Sequence, residues 1–408
     1  MPLTEKQLEY LKHCNHRWNV KTGATGSGKS FLDFTVTIPK RIQACRGEGL
    51  IVLLGNTRGT LERNILEPMR QWWPGNVGMI RSDNTVELFG KKVYALGADN
   101  KKHVARIQGA TFEYVYGDEV TTWSEDVFQM LKSRLRCEHS HFDGTCNPEN
   151  PRHWFKTFLD SDADIYQQSY VIDDGVLPAH VVAELKKEYA GTVFYDRYIL
   201  GLWRRADGLV YPNFSEERHV ADRMPFLDDN GNVKRGVEFY VSCDYGIVNP
   251  FSAHLWALYN GIAYCWKEYY FDSKEKRRQK TDEEHYEALD AMIGDIPVEC
   301  IVVDPSATSF KETIRRHDKH SVANAVNDVI NGISTVASLL NADRIMIHSG
   351  CKNAIREFGM YSWDSEAQED AVIKEFDHAM DDIRYMCHTI VRREFDWLDW
   401  SVRGGKNE

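Results

Sequence analysis

Near its N-terminus the chain carries Gly23-Ala24-Thr25-Gly26-Ser27-Gly28-Lys29-Ser30, a complete phosphate-binding loop (the P-loop, residues 23–30). It follows a short predicted strand at Trp18-Asn19-Val20 and precedes a helical pattern. The backbone N–H groups of such a loop surround phosphate oxygens, and its glycines let the main chain approach them. Lys29 supplies a positive charge for the β- and γ-phosphates, and Ser30 supplies a hydroxyl for Mg²⁺. The loop predicts a nucleotide-binding domain.

The partner carboxylates of the P-loop are predicted at Asp118 and Glu119, which follow the apolar strand pattern of residues 112–117. An aspartate at the end of a strand can hold Mg²⁺ through water, and the adjacent glutamate can polarise the attacking water. Together with the P-loop, this pair predicts ATP hydrolysis with Mg²⁺ as cofactor.

A coupling segment is predicted at Thr145-Cys146-Asn147-Pro148, after a strand that begins near His141. Thr145 and Asn147 at the sheet edge can sense the γ-phosphate. The alternative interpretation of Asn147-Pro148 is an ordinary turn.

Two further residues are candidates for contact with the nucleotide, and each has an alternative. Arg106 is our candidate for an arginine that a neighbouring subunit inserts to stabilise the transition state, with Arg134 and Arg136 as rivals. Gln7 precedes the P-loop and can contact the adenine edge, or it can be a polar residue on an N-terminal helix.

Composition places limits on the class of protein. The 408 residues carry a net charge of −11, which argues against constitutive coating of DNA but allows a site that gathers carboxylates around metal ions. No apolar run approaches a membrane span, so we expect a cytoplasmic protein. The nine cysteines include no Cys-x-x-Cys pair, and the cysteines and histidines within residues 137–146 match no common zinc template.

The pattern of apolar runs predicts an α/β protein with two domains. Residues 1–203 alternate buried strands with helices, which indicates a mostly parallel, RecA-like sheet. Residues 204–235 are rich in Gly, Pro and Asp and are predicted as a linker or subdomain. Residues 236–408 begin with a strand and a hairpin around Asn260-Gly261, followed by strands separated by helices. This order predicts a ribonuclease-H-like mixed sheet.

Three acids of this second half are predicted to converge. Asp244 and Asp304 each end a predicted strand, and Asp381 lies in a helix that starts near Asp377. Carboxylates that lie close together repel one another unless a cation separates them. Two Mg²⁺ or Mn²⁺ ions roughly 4 Å apart are the usual arrangement for phosphodiester cleavage.

The order of these parts resembles the large subunit of tailed-phage terminases, over nearly the whole chain. The resemblance is most specific at the ending His378-x-x-Asp381-x-x-Arg384-Tyr385 and at Asn327-Asp328-Val329-Ile330-Asn331-Gly332-Ile333, which look like the PBSX-type branch. It implies Lys29, Ser30, Asp118 and Glu119 for ATP, and Asp244, Asp304 and Asp381 for nuclease metals, with His378 as an additional ligand. The doublet Asp381-Asp382 departs from many relatives.

The resemblance also implies partners and a location. The family drives double-stranded viral DNA into a procapsid and cuts the concatemer. It works as a homo-oligomeric ring on the portal protein, is brought to DNA by a small subunit, and can be monomeric in solution. We therefore expect the protein in the host cytoplasm, transiently docked on the procapsid, outside both the membrane and the mature virion.

The sequence disfavours two alternative functions. A helicase-nuclease of DNA repair requires a second RecA-like domain, and no second set of helicase motifs follows residue 203. A non-enzymatic scaffold is disfavoured by the intact Lys29, Asp118 and Glu119 and by the three acids of the second half.

Overall fold

The computed structural model describes residues 3–99, 109–246, 249–367 and 369–393. The chain divides into two compact units. The first comprises the described residues up to Leu185 together with Val193–Arg205, and the second comprises Lys186–Thr192 and the described residues from Ala206 onward. The predicted extents 1–203, 204–235 and 236–408 stay predictions.

The first unit is built on a seven-stranded sheet with the order β3-β4-β2-β5-β6-β1-β7. Its strands are β1 Trp18–Gly23, β2 Leu50–Gly55, β3 Thr85–Leu88, β4 Lys91–Gly97, β5 Phe112–Gly117, β6 His141–Cys146 and β7 Ile165–Tyr170. All neighbouring pairs are parallel except β3 with β4. The carboxyl ends of β5, β6 and β1 therefore meet at one edge, with β6 in the middle.

Helices cover this sheet. They are Glu5–His13, Lys29–Leu32, Ile38–Ala44, Arg58–Leu61, Glu67–Trp72, Glu125–Lys132 and Trp154–Leu159, with π turns at Asp33–Thr37 and Glu62–Leu66 and a 3-10 turn at Val120–Thr122. A 3-10 turn at Ile172–Asp174, the helix Ala179–Tyr189 and a π turn at Tyr195–Ile199 follow β7. The helical segment that begins at Arg58 is capped by the Thr57 hydroxyl, which accepts from the Thr60 N–H at 3.1 Å.

Both faces of this sheet are buried, as a doubly covered parallel sheet requires. In β2, Val52 and Leu54 pack into one apolar cluster, whereas Ile51 and Leu53 pack into another. Successive side chains of a strand point to opposite faces, so the continuous apolar run of β2 serves both clusters. The prediction of a mostly parallel α/β domain is confirmed.

The second unit has a mixed seven-stranded sheet with the order β13-β12-β9-β10-β11-β14-β8. Its strands are β8 Val220–Ala221, β9 Glu238–Asp244, β10 Phe251–Tyr259, β11 Ile262–Phe271, β12 Val298–Val303, β13 Val322–Asn324 and β14 Ile345–His348. Strands β9, β10 and β11 are antiparallel, and the remaining pairs are parallel. The predicted turn at Asn260-Gly261 is present, with φ of 52° and 74°.

The helices of this unit are Glu216–His219, Asp282–Ile293, Thr308–His317, Val329–Asn341, Lys352–Phe358 and His378–Met386, the last continued by a π turn at Cys387–Val391. The predicted linker contributes to this unit directly: β8 pairs with β14, and Met224 and Phe226 join its apolar core. The mixed sheet agrees with the predicted ribonuclease-H-like fold and not with the second RecA-like domain of the helicase alternative. None of the described helices combines the length and the apolar composition that a bilayer-spanning segment requires.

Candidate functional sites

The P-loop joins β1 to the helix that begins at Lys29. Gly26 and Gly28 have φ of 67° and 83°, in the left-handed region that favours glycine. A Cβ at Gly26 would lie 2.4 Å from Leu177 Cδ1, and one at Gly28 would lie 2.9 Å from Gln7 Nε2. The positive φ favours glycine at both positions, and the ends of the Leu177 and Gln7 side chains occupy the space that a Cβ would take.

The Lys29 side chain is buried against the main chain of its own loop. Its Nζ donates to the carbonyls of Gly23 at 2.9 Å and Ala24 at 2.6 Å, and to Asn147 Oδ1 at 3.2 Å. Burial lowers the pKa of Lys29 to about 8. The loop is closed by a Ser27 hydroxyl that donates to the Ala24 carbonyl at 2.7 Å, while Thr25 is exposed and Ser30 half-buried.

Asp118 lies directly after β5 and is almost fully buried. Its Oδ1 accepts from Thr145 Oγ1 at 3.2 Å, and its Oδ2 accepts from Asn64 Nδ2 at 3.3 Å. Burial, followed by the charge of Glu119, raises the pKa of Asp118 to about 7. A carboxyl with a pKa near neutral pH is only partly ionised, and a bound cation would ionise it fully.

Glu119 is half-buried and has a left-handed backbone with φ of 51°. A non-glycine residue in this region is uncommon and is often found at functional sites. Its N–H donates to Thr145 Oγ1 at 3.5 Å, so Glu119 and Asp118 contact the same hydroxyl.

The predicted coupling segment lies between the two nucleotide motifs because β6 lies between β5 and β1. Thr145 contacts Asp118, and Asn147 contacts Lys29. The segment therefore touches both the strand acid and the P-loop lysine.

Gln7 is fully buried and contacts the P-loop main chain, since its Nε2 donates to the Gly28 carbonyl at 2.9 Å. Its Oε1 accepts from the Thr4 N–H at 3.0 Å, as part of a capping box. Its predicted contact with adenine stays a prediction. Arg106 lies outside the described residues, Arg134 is half-buried, and Arg136 is exposed with its Nε donating to the Ser133 carbonyl at 2.7 Å.

The second site lies in the second unit, at the end of β9. Asp244 Oδ2 lies 3.0 Å from His378 Nδ1. Burial raises the pKa of Asp244 to about 7, with a contribution from the charge of Asp381 and against the hydrogen bond with His378. Burial lowers the pKa of His378, but its contact with Asp244 outweighs this, and the pKa is raised.

Asp381 is held by the buried Arg384. This arginine belongs to the motif that carries the family resemblance, but the sequence predicted no role for it. Arg384 donates to Asp381 Oδ1 from Nε at 3.1 Å and from Nη2 at 2.9 Å. The other oxygen, Oδ2, lies 3.4 Å from Lys374 Nζ. Arg384 Nη2 also donates to Asn327 Oδ1 at 3.0 Å, which connects the two motifs of the resemblance.

Asp304 follows β12, which is parallel to β9. Its N–H donates to the Cys243 carbonyl at 3.4 Å, so its backbone is joined to the residue before Asp244. Its Oδ1 accepts from the Ser306 N–H at 2.8 Å. The strand ends thus bring Asp304 next to Asp244, as the sequence predicts.

The buried Tyr385 lies within the electrostatic influence of all three acids. Burial and then the charges of Asp244 and Asp381, with a smaller contribution from Asp304, raise its pKa. Sequence reasoning assigned no role to Tyr385, although it ends the motif that carries the family resemblance. The three carboxylates are near neighbours, but they do not all lie within 4.8 Å of one another.

Asp382 points away from this site. It is fully buried, and its Oδ2 accepts from Ser252 Oγ at 3.0 Å and contacts His254 Nδ1. Adjacent helix residues diverge by about 100°, so Asp381 and Asp382 serve different sides of the helix.

The donor sets fit the cations that the sequence predicts. The second site offers carboxylate oxygens, which Mg²⁺ and Mn²⁺ prefer, and Asp377 Oδ1 beside it is buried without a hydrogen-bond partner. The first site offers a P-loop lysine whose partners are neutral, together with a buried carboxyl at the neighbouring strand end. Such a lysine can exchange carbonyl partners for phosphate oxygens.

Comparisons with known proteins agree with this geometry. Residues 61–218 match a family model described as "Terminase large subunit, T4likevirus-type, N-terminal". The chain is 22% identical over 413 residues to the large terminase subunit of Escherichia phage T5, across 94% of this chain and 89% of that one. A solved large terminase from a thermophilic bacteriophage has a TM-score of 0.85 and 32% identity, across 96% of this chain and 100% of that chain. The same phage protein in complex with ATP-gamma-S has a TM-score of 0.83 and 32% identity, with the same coverage.

Proposed function

Because the chain belongs to the bacteriophage terminase large subunit family, we propose that it hydrolyses Mg–ATP at the P-loop to drive double-stranded viral DNA into a procapsid, and that it cuts this DNA at Asp244, Asp304 and Asp381. The observation that carries the proposal is that each unit has its own charged centre at strand ends of its own sheet. One centre has the lysine, acid and hydroxyl that ATP requires, and the other has carboxylates beside a histidine.

In the ATPase reaction, Lys29 leaves the carbonyls of Gly23 and Ala24 and binds the β- and γ-phosphates. Asp118 and Ser30 hold Mg²⁺, and Glu119 polarises the attacking water. Loss of the γ-phosphate lets Lys29 return to the carbonyls of Gly23 and Ala24. Asn147, which contacts Lys29, and Thr145, which contacts Asp118, sense this change. An arginine from a neighbouring subunit, Arg106 or its rivals Arg134 and Arg136, stabilises the transition state.

In the nuclease reaction, Asp244, Asp304 and Asp381 bind the metal ions, and His378 orients Asp244 or adds a ligand. Arg384 keeps Asp381 in position by holding its Oδ1, and Oδ2, which lies 3.4 Å from Lys374 Nζ, would be the oxygen that coordinates. Two Mg²⁺ or Mn²⁺ ions held by these acids would supply an activated water and would stabilise the leaving 3′ oxygen.

The assembly follows the family. We place the chain in the PBSX-type branch and expect a homo-oligomeric ring docked on the portal protein, a small terminase subunit that delivers the DNA, and a location in the host cytoplasm. The thermophilic phage terminase was solved with ATP-gamma-S, and its similarity over 96% of this chain supports the nucleotide assignment.

The test is cleavage of supercoiled plasmid with Mn²⁺, measured beside ATP turnover. Asp304→Ala should lose cleavage and keep ATP turnover, whereas Lys29→Ala should keep cleavage and lose turnover. The exposed residues Asp295 and Lys40 provide matched controls, Asp295→Ala and Lys40→Ala, which should change neither activity. Equal cleavage by Asp304→Ala and wild type would overturn the nuclease assignment and leave the ATPase assignment standing.

A further inference from the structure

A second group of metal-binding side chains lies inside the second unit. Ligand atoms of His254, Cys265 and Cys351 lie within 4.8 Å of one another, and all three residues are buried. The two sulfur atoms are 3.9 Å apart. Among the described residues, no other group of three or more His, Cys, Asp or Glu side chains brings its ligand atoms so close.

A strand irregularity brings the group together. His254 of β10 pairs with Glu268 of β11, Trp256 pairs with Cys265, and the register shifts between these pairs. Residues three apart on a regular strand point to opposite faces, but the extra residue of a β-bulge reverses this alternation. Cys265 and Glu268 therefore both reach His254. Cys351 enters from the residue before the helix Lys352–Phe358.

The imidazole of His254 is oriented as metal-bound histidines are. Its Nδ1 contacts the Asp382 carboxylate, and its Nε2 lies 3.2 Å from Glu268 Oε1. A carboxylate on one ring nitrogen is the usual outer arrangement of zinc-bound histidines. Asp382 would therefore orient the ring, and Nε2 would exchange its contact with Glu268 for the ion. Glu268 is itself held by the Asn353 and Ala354 N–H groups, at 3.0 and 2.8 Å.

The spacing fits a tetrahedral zinc ion. Two sulfur ligands at Zn–S distances of about 2.3 Å lie about 3.8 Å apart in a tetrahedron, and nitrogen and oxygen ligands lie about 3.4 Å apart. The observed sulfur separation of 3.9 Å and the separation of 3.2 Å between His254 Nε2 and Glu268 Oε1 are close to these two edges, although Glu268 lies outside the group whose ligand atoms are all within 4.8 Å of one another.

We propose that Cys265, Cys351 and His254 Nε2 bind one structural Zn²⁺, with Glu268, which contacts His254 Nε2, as the candidate for the fourth position once its carboxylate moves toward the sulfur atoms. Binding releases the two thiol protons and the proton that His254 Nε2 shares with Glu268, because the ligands are thiolates and a neutral imidazole. The ion joins β10, β11 and the start of the helix Lys352–Phe358. Through His254 and Asp382 it also supports the helix that carries Asp381, without touching the nuclease metals.

The experiment measures zinc in the full-length protein, purified without chelators or a histidine tag. Wild type should retain about one zinc per chain after dialysis, as should Asp304→Asn, which weakens the nuclease metal site. Cys265→Ser and Cys351→Ser should lose it, while Cys300→Ser, a half-buried cysteine of the same unit, should retain it.

A measurement on wild type guards against variants that fail to fold. Replacing zinc with Co²⁺ should produce a near-ultraviolet thiolate-to-cobalt absorption band that excess Zn²⁺ removes. Wild type that holds no zinc and gives no such band would overturn the proposal. A Cys265–Cys351 disulfide found by mass spectrometry of the unreduced protein would also overturn it, because a disulfide has no thiolate to offer.

Discussion

The side chain of Arg384 crosses the helix Val329–Asn341 at Gly332, where an added Cβ would lie 2.6 Å from Arg384 Cγ. Arg384 reaches past this glycine to donate twice to Asp381 Oδ1. Because Gly332 has no side chain, Arg384 can pass it and hold Asp381, the predicted metal-binding acid. This relationship gives a physical reason for a glycine inside a helix, where glycine costs stability.

We expect Gly332→Ala to reduce Mn²⁺-dependent cleavage about tenfold or more, because Arg384 must shift and take Asp381 with it. ATP turnover should be unchanged. Alanine is a better helix former than glycine by about 1 kcal/mol, so the loss will not come from a weaker helix. Ser334→Ala, on the same helix, is the matched control. Full cleavage by Gly332→Ala would contradict the positioning role of Arg384.

The same Asp-to-Asn substitution at the adjacent residues Asp381 and Asp382 should have different effects on cleavage and stability. Asp381→Asn should abolish cleavage while the protein stays folded, because the amide oxygen can still accept from Arg384. Asp382→Asn should lower the melting temperature, since removing one partner of a buried ion pair costs about 3–5 kcal/mol. Thermal unfolding and plasmid cleavage measured on both variants check this. If both variants lost cleavage and melting temperature to a similar extent, Asp381 and Asp382 would not have separate roles in metal binding and stability.

For Glu119→Gln, we expect ATP turnover to fall about 100-fold or more with nucleotide affinity kept, because the amide cannot polarise water as a carboxylate does. The substitution preserves size and the left-handed backbone. Glu125→Gln, an exposed change six residues away, should behave as wild type. Turnover and equilibrium binding of a fluorescent ATP analogue are the measurements. Retained turnover would remove Glu119 from the water-activating role.

Nucleotide binding should take up a proton at alkaline pH. The pKa of Lys29 is lowered to about 8, so above this value the amine is increasingly neutral before ATP arrives. Phosphates beside Nζ favour the charged form, so the pKa rises on binding and the affinity falls as pH increases beyond 8. Calorimetry at about pH 8.5 in buffers of different ionisation enthalpy measures the proton, at a pH where Asp118 is already ionised.

Lys29→Arg is the control for this proton uptake, because arginine stays charged at every accessible pH. It should bind nucleotide without taking up a proton. Proton uptake of equal size in Lys29→Arg and wild type would assign the effect to another group.

Gln7→Met separates the two interpretations of Gln7. If the amide only donates to the Gly28 carbonyl, the substitution should weaken the binding of ATP and of GTP by the same factor. One lost buried hydrogen bond corresponds to about fivefold. If it contacts adenine, ATP alone should weaken. Dissociation constants for both nucleotides, with Glu9→Gln as an exposed control on the same helix, decide between these roles.

Much of the fold could be predicted because its signals are local. The P-loop, the strand ends at Asp118 and Asp244, the turn at Asn260-Gly261 and the helix Asp282–Ile293 are each encoded in a few consecutive residues. Turn glycines, capping residues and apolar periodicity act over one or two turns of chain, so the sequence displays them directly.

Beyond the predicted neighbours at the strand ends, only the tertiary structure decided which side chains meet. The contacts of Asp382 with His254, Gln7 with Gly28, and Cys265 with Cys351 join different elements, and the cysteines are 86 positions apart in sequence. The sequence by itself determined the two chemistries and the strands that end in them. Packing decided the rest, because the direction of a buried side chain depends on the register of strands and on the rotation of helices against the sheet.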